Sequence, residues 1–174
     1  MKFSQIKKPK QDEHSEYFNR YIDLVPDENI LELMQNQILE TMKFFEQINE
    51  DKSNYSYAEG KWSIKEVLGH LIDTEIIFGT RALRIARNDK THLPGFDENE
   101  FTANANFNSL SFTNLLELFI LIRKSTIGLF KTFSDDMWIR RGTVDNKILS
   151  VRSVPYIVFG HVIHHLKIIK EKYL

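Results

Sequence analysis

The chain has 174 residues, 42% of them hydrophobic, which is the length of one domain and enough apolar material for one sizeable core. Its 23 Lys and Arg nearly cancel its 24 Asp and Glu, so no strong field exists to draw nucleic acid or an anionic membrane. There is no cysteine, which excludes disulfides, thiolate metal sites and a cysteine nucleophile; any metal must be held by His, Asp or Glu.

No run of about 18 apolar residues is present, so no membrane span is expected. The opening MKFSQIKKPKQDEHSEYF is basic but lacks an apolar signal core, so a cytoplasmic protein is expected. Residues 1–14 read as a loosely held polar arm ahead of a single domain spanning 15–174. His14 in that arm has no evident partner. EYFNRYIDLVP is a short apolar segment that ends at Pro26 and should pack across an end of the domain.

Asp27 can cap a first long helix that runs to about Asn49, with Ile30, Leu31, Met34, Ile38, Met42 and Phe45 as its buried stripe. A polar connector follows. Ser63 and Glu66 form the S-x-x-E capping box of a second helix, which carries a wide apolar face and holds His70 about two turns in. KTHLPGFDENEFTANANFNS is a long connector of the kind that crosses over a bundle. Ser111 caps a third helix, the most hydrophobic and so expected to be the most buried; Arg123 within it needs a partner. SDDMW allows one further turn. IRRGTVDNKILSVRS alternates about Asp145–Asn146 and reads as a short hairpin or an extended loop. The last helix, Ser153 to Leu174, has Ser153 as its cap, Pro155 in its first turn and lysines near its end.

Four amphipathic helices of roughly 20 residues, each about 30 Å long, argue for an all-α four-helix bundle. The long second connector permits parallel neighbours, so the topology need not be simple up-and-down.

The final helix carries His161, His164 and His165. Residues four apart are stacked neighbours on a helix, so His161 and His165 can aim at one point and chelate one divalent metal. Such a pair alone is commonly an ordinary partly buried or surface pair. His70, on another amphipathic helix, strengthens the reading, because bundle cores build metal sites from facing helices. Three imidazoles suit zinc, nickel or iron and leave a coordination position open, as in catalytic sites. His164 can replace either partner in the pair; we favour His161 with His165 and leave His164 behind them or at the surface. Asp73, three residues after His70, orients an imidazole or accepts a proton from metal-bound water, or else is a capped or salt-bridged helix carboxylate paired with Arg81 or Arg123. Glu75 is read as a structural partner for an arginine. His92 is read as polar surface, and Trp62 and Trp138 as core. No phosphate loop, G-x-S-x-G elbow or HExxH motif is present.

YAEGKWSIKEVLGHLIDTE, RALRIARNDKTHLPGFDENEF and GHVIHHLKIIKE resemble the DinB-like, YfiT-type superfamily, over residues 17 to 174. The resemblance implies a four-helix bundle with crossed topology and a divalent metal, zinc or nickel, on His70, His161 and His165. Members include metal-dependent hydrolases, and thiol transferases or isomerases that use low-molecular-weight thiols. Relatives are frequently dimers, so a homodimer acting on a small-molecule substrate is expected. The first expectation is a metal-dependent enzyme that transfers a thiol to small electrophiles; the alternatives are hydrolysis by metal-bound hydroxide with Asp73 as proton acceptor, and a non-catalytic metal- or ligand-binding stress protein.

Overall fold

The computed structural model describes residues 6–174. Four long helices carry the fold: α2 (Ile30–Phe45), α4 (Ile64–Ala86), α6 (Phe112–Phe130) and α8 (Ser153–Lys172). Short helices α1 (Asn19–Ile22), α3 (Glu50–Ser53), α5 (Glu98–Ala105) and α7 (Asp135–Trp138) lie between or before them. Strands β1 (Arg141–Val144) and β2 (Lys147–Ser150) form an antiparallel hairpin. Among the described residues no helix is long and apolar enough to cross a membrane.

The bundle is crossed. Both α2 and α4 pack on α6 and on α8, so α2 stands diagonal to α4 and α6 diagonal to α8. A simple up-and-down bundle would instead pair consecutive helices all the way round. The long connector makes the crossing possible, and it is not structureless. It holds α5, which Asp97 caps through the Asn99 and Glu100 N–H groups, and Asn106 ends that helix with a left-handed φ of 53°. A 3-10 turn, Phe107–Ser109, then seats the Phe107 ring on Gly69 of α4. A Cβ at Gly69 would lie 2.4 Å from that ring, so only glycine admits the contact.

Capping chemistry explains where the helices begin. At α4 the Ser63 hydroxyl accepts from the Glu66 N–H at 3.1 Å, and Glu66 accepts from the Ser63 N–H at 2.6 Å, which is the predicted box. At α2 the cap is Asn29 rather than Asp27: its carbonyl oxygen accepts from Leu31 and Glu32, and the helix stops at Phe45. Asn49 does not end α2 but caps α3. At α8 Ser153 lies inside the first turn; Ser150 supplies the hydroxyl that accepts from the Ser153 N–H at 3.2 Å. The hairpin reading holds for 141–150. Asp145 and Asn146 both have positive φ, 47° and 59°, as a two-residue turn matching the strand twist requires.

Two further expectations are corrected. Helix α6 is not the most enclosed element: Leu118 and Leu121 on it face solvent, whereas α4 is buried on most of its circumference. Hydrophobicity measures how much a helix can bury, not how many neighbours surround it. The expected loose arm is also docked over its described part, residues 6–14. Ile6 is buried, and its carbonyl accepts from the Tyr156 hydroxyl at 2.7 Å. The buried Glu13 forms an ion pair with the partly buried Arg152, and Asp12 pairs with Arg141. The polar residues of the arm are thus ion-pair partners for the body.

A buried polar network joins all four long helices. Arg123 of α6 donates from Nε to both carboxylate oxygens of Glu75 on α4, each at 2.8 Å, and from Nη1 to the Gln37 side-chain carbonyl on α2 at 2.5 Å. Gln37 in turn donates to the Phe159 carbonyl of α8 at 3.1 Å. This provides the partner that Arg123 needs and gives Glu75 the structural role read from the sequence.

Candidate metal centre

Helix α4 presents His70 and helix α8 presents His161 and His165, one helical turn apart, toward each other. The His161 Nε2 lies 3.0 Å from the His70 Nε2 and 3.0 Å from the His165 Nε2. All three candidate ligand atoms lie within 4.8 Å of one another. The spacing at the turn is the geometric expectation for residues four apart. What brings His70 across is the direct packing of α4 on α8.

Hydrogen bonding alone accounts poorly for this cluster. A neutral imidazole nitrogen is either one donor or one acceptor, yet the His161 Nε2 faces two other ring nitrogens at once. Nitrogens bound to one ion at about 2.0–2.1 Å lie roughly 2.9–3.4 Å apart between right-angle and tetrahedral geometry. The two separations of 3.0 Å at His161 fit that range. The protonation state fits as well. Burial lowers the His70 pKa to about 4. Burial, with added repulsion from His70 and His164, lowers His165 to about 3, and His161 is likewise held well below its ordinary value by burial and its histidine neighbours. The three rings are therefore neutral near pH 7, the form that ligates metals. No Asp or Glu joins the cluster among the described residues.

Aromatic rings brace the imidazoles. Trp62 packs on His70 at 4.8 Å between centroids, and Tyr21 meets His161 edge-on at 5.0 Å. Tyr21 comes from α1, which lies along α8 because residue 160 is glycine: a Cβ there would sit 2.1 Å from the Tyr21 carbonyl oxygen. The segment expected across an end of the domain is thus a wall of the site. Trp62 likewise lines the site; it is half buried and packs against the edge of the core.

The cluster opens into a cavity of about 510 Å³, in the size range of small-molecule sites. Helix α4 contributes His70, Thr74, Phe78 and Arg81 to its wall, residues spaced to share one helical face. Thr74, whose buried hydroxyl has no partner among the described residues, takes the position one turn after His70. Asp73 does not line the cavity and makes no hydrogen bond or ion pair among the described residues; Arg123 goes to Glu75, and Arg81 to the Pro94 carbonyl. Burial raises the Asp73 pKa. His164 lines the cavity with its ring against Tyr21 and His165, outside the three-nitrogen cluster. His92 has a structural task, accepting from the Asn146 N–H at the hairpin turn. His14 is buried with its Nδ1 3.1 Å from the Ser15 carbonyl oxygen. Tyr21, Thr74 and Arg81 were not read from the sequence as site residues; for Thr74 and Arg81 the signal was their helical phase relative to His70.

Comparison with known proteins agrees with the fold. No curated protein sequence matches. Among solved structures, YfiT from Bacillus subtilis, described as a probable metal-dependent hydrolase with an unusual four-helix bundle topology, superposes with a TM-score of 0.69 at 18% identity, over 94% of this chain and 90% of that one. A mycothiol-dependent maleylpyruvate isomerase superposes with a TM-score of 0.68 at 15% identity, over 84% of this chain but only 61% of that one. At these identities the likeness shows the fold. The sequence profile of the DinB superfamily matches residues 34–169, a stretch that begins in α2 and takes in all three clustered histidines. A crossed four-helix bundle, three converging imidazoles and that match over most of the chain lead to one assignment: this protein belongs to the DinB superfamily.

Proposed function

We propose that His70, His161 and His165 hold one divalent ion, zinc or nickel, and that the protein is an enzyme transferring a small thiol to a small electrophile. The observation that carries the reading is the convergence of three neutral imidazoles at a cavity with room for another molecule. A metal held there supplies a Lewis acid that lowers the pKa of a bound thiol or water. The chain's own residues do the rest. Trp62 and Tyr21 hold two of the rings in place and keep bulk water from their faces. Thr74 adds to the wall between His70 and Phe78, and its buried hydroxyl has no partner among the described residues.

Thiol transfer is favoured over hydrolysis by the donor set. A thiol is far more acidic than water and ionises on a metal without a neighbouring base, whereas attack by water gains more from one. Asp73, the carboxylate expected in that role, is off the cavity wall. The absence of cysteine is consistent with a thiol supplied from outside. Hydrolysis is the second reading, supported by the likeness to YfiT. The exposed Leu118 and Leu121 on α6 suit a homodimer contact, which light scattering in solution tests.

The deciding experiment measures conjugation of monochlorobimane with candidate thiols, beside hydrolysis of an ester panel without thiol. Metal-dependent conjugation that disappears in His161→Ala supports transfer. Equal conjugation in both proteins sinks it, and thiol-independent ester turnover gives the site to hydrolysis.

A further inference from the structure

Three cations line the cavity: Arg20, Arg81 and Lys147. Arg20 and Lys147 are exposed, so water answers their charge. Arg81 is only 7% exposed. Its guanidinium stands 4.9 Å from the centroid of the Phe78 ring and 5.7 Å from that of Phe96. It donates one hydrogen bond, from Nη2 to the Pro94 carbonyl at 2.8 Å, and forms no ion pair among the described residues. The acid that acts on it is Asp145, at the exposed hairpin turn. A guanidinium has five N–H donors and stays charged, and a buried one normally has a carboxylate against it. Elsewhere in this protein that rule holds: the more deeply buried Arg123 has Glu75.

From this buried guanidinium, which has one hydrogen bond and no ion pair among the described residues, we infer that Arg81 anchors the carboxylate of a small molecule whose other end reaches the three imidazoles. The inference rests on the cavity being the substrate's, as proposed above. Positions 70 and 81 lie eleven residues apart on one helix, a rise of roughly 16 Å, so the molecule is elongated. The wall between them is Thr74 and Phe78, which suits a mostly apolar middle. Glu98 and Asp145 also line the cavity and oppose a dianion, so a singly charged carboxylate fits better than a phosphate monoester.

The test uses octanoate and octan-1-ol as probes, with binding to the metal-free protein measured by calorimetry. Wild type binds octanoate about tenfold or more tightly than octan-1-ol, the step expected of one charge-assisted contact. Arg81→Met removes that preference, and Arg81→Lys retains part of it because the charge remains without its fork. Equal affinities in wild type overturn the inference whether or not a variant folds. A preference that persists in full in Arg81→Met, or that vanishes in Arg20→Met or Lys147→Met instead, also overturns it. A parallel measurement of retained zinc or nickel separates the two proposals. Octanoate preference without metal retention keeps Arg81 and removes the metal reading; metal retention without preference does the reverse.

Discussion

Arg123 and Glu75 form a fork across α6 and α4, with exposures of 0% and 2%, and Gln37 links that fork to α2 and α8. One buried cation thereby sets how all four helices meet. Removing one partner leaves the other charge uncompensated, so Glu75→Leu is expected to cost about 3–5 kcal/mol in urea unfolding. The double variant Glu75→Leu with Arg123→Met is expected to recover much of that loss, because apolar side chains of similar volume can replace a buried pair. A double variant no more stable than the single one contradicts this account.

Gly160 lets the backbone of α1 rest on α8. The Cβ of Gly160→Ala would fall 2.1 Å from the Tyr21 carbonyl oxygen, which is backbone and cannot swing aside. Such overpacking is expected to cost about 1–3 kcal/mol. The displaced α1 also carries Tyr21 away from His161, so metal retention should fall together with the melting temperature. An unchanged melting temperature would show that α1 is not pinned there.

Removing one imidazole should abolish metal retention. In elemental analysis of natively purified protein, His70→Ala and His161→Ala are each expected to lose more than about 100-fold in affinity, beyond the effect typical of an outer partner. Asp73→Asn should retain metal and activity within about twofold, because Asp73 neither lines the cavity nor bonds to a ring. A large loss in Asp73→Asn would restore it to the mechanism.

Two groups of residues set the acid stability of the metal-free protein, in different pH windows. The buried imidazoles have folded pKa values below their ordinary 6.5, about 4 for His70 and about 3 for His165. Below pH 6.5 the unfolded chain therefore binds more protons than the folded one, and stability falls as pH drops toward those values. For Glu13, burial pushes the carboxyl up, but its hydrogen bonds and the charge of Arg152 outweigh that and bring it from 4.5 to about 2. Its contribution is full above pH 4.5 and lost as pH falls toward about 2. Melting temperature against pH should thus decline first through the histidine window and again through the Glu13 window. Glu13→Gln should remove only the second decline, and a flat profile from pH 7 to 5 would contradict neutral buried rings.

Local signals in the sequence determined a good deal. The capping box at Ser63 and Glu66, the turn at Asp145–Asn146 and the four apolar periodicities were legible because caps, turns and amphipathic faces depend on residues a few positions apart. The stacking of His161 with His165 was legible for the same reason. His70 joined them through its place on another amphipathic helix of a bundle, and the resemblance then implied the same three residues. The tertiary structure alone decided which helices are diagonal, that the N-terminal arm docks through Glu13 and Arg152, and that Tyr21 and Trp62 wall the histidines. It also chose between Asp73 and Thr74, one position apart in sequence. One residue is a turn of about 100° on a helix, and only the direction of the neighbouring helix says which of the two faces the cavity.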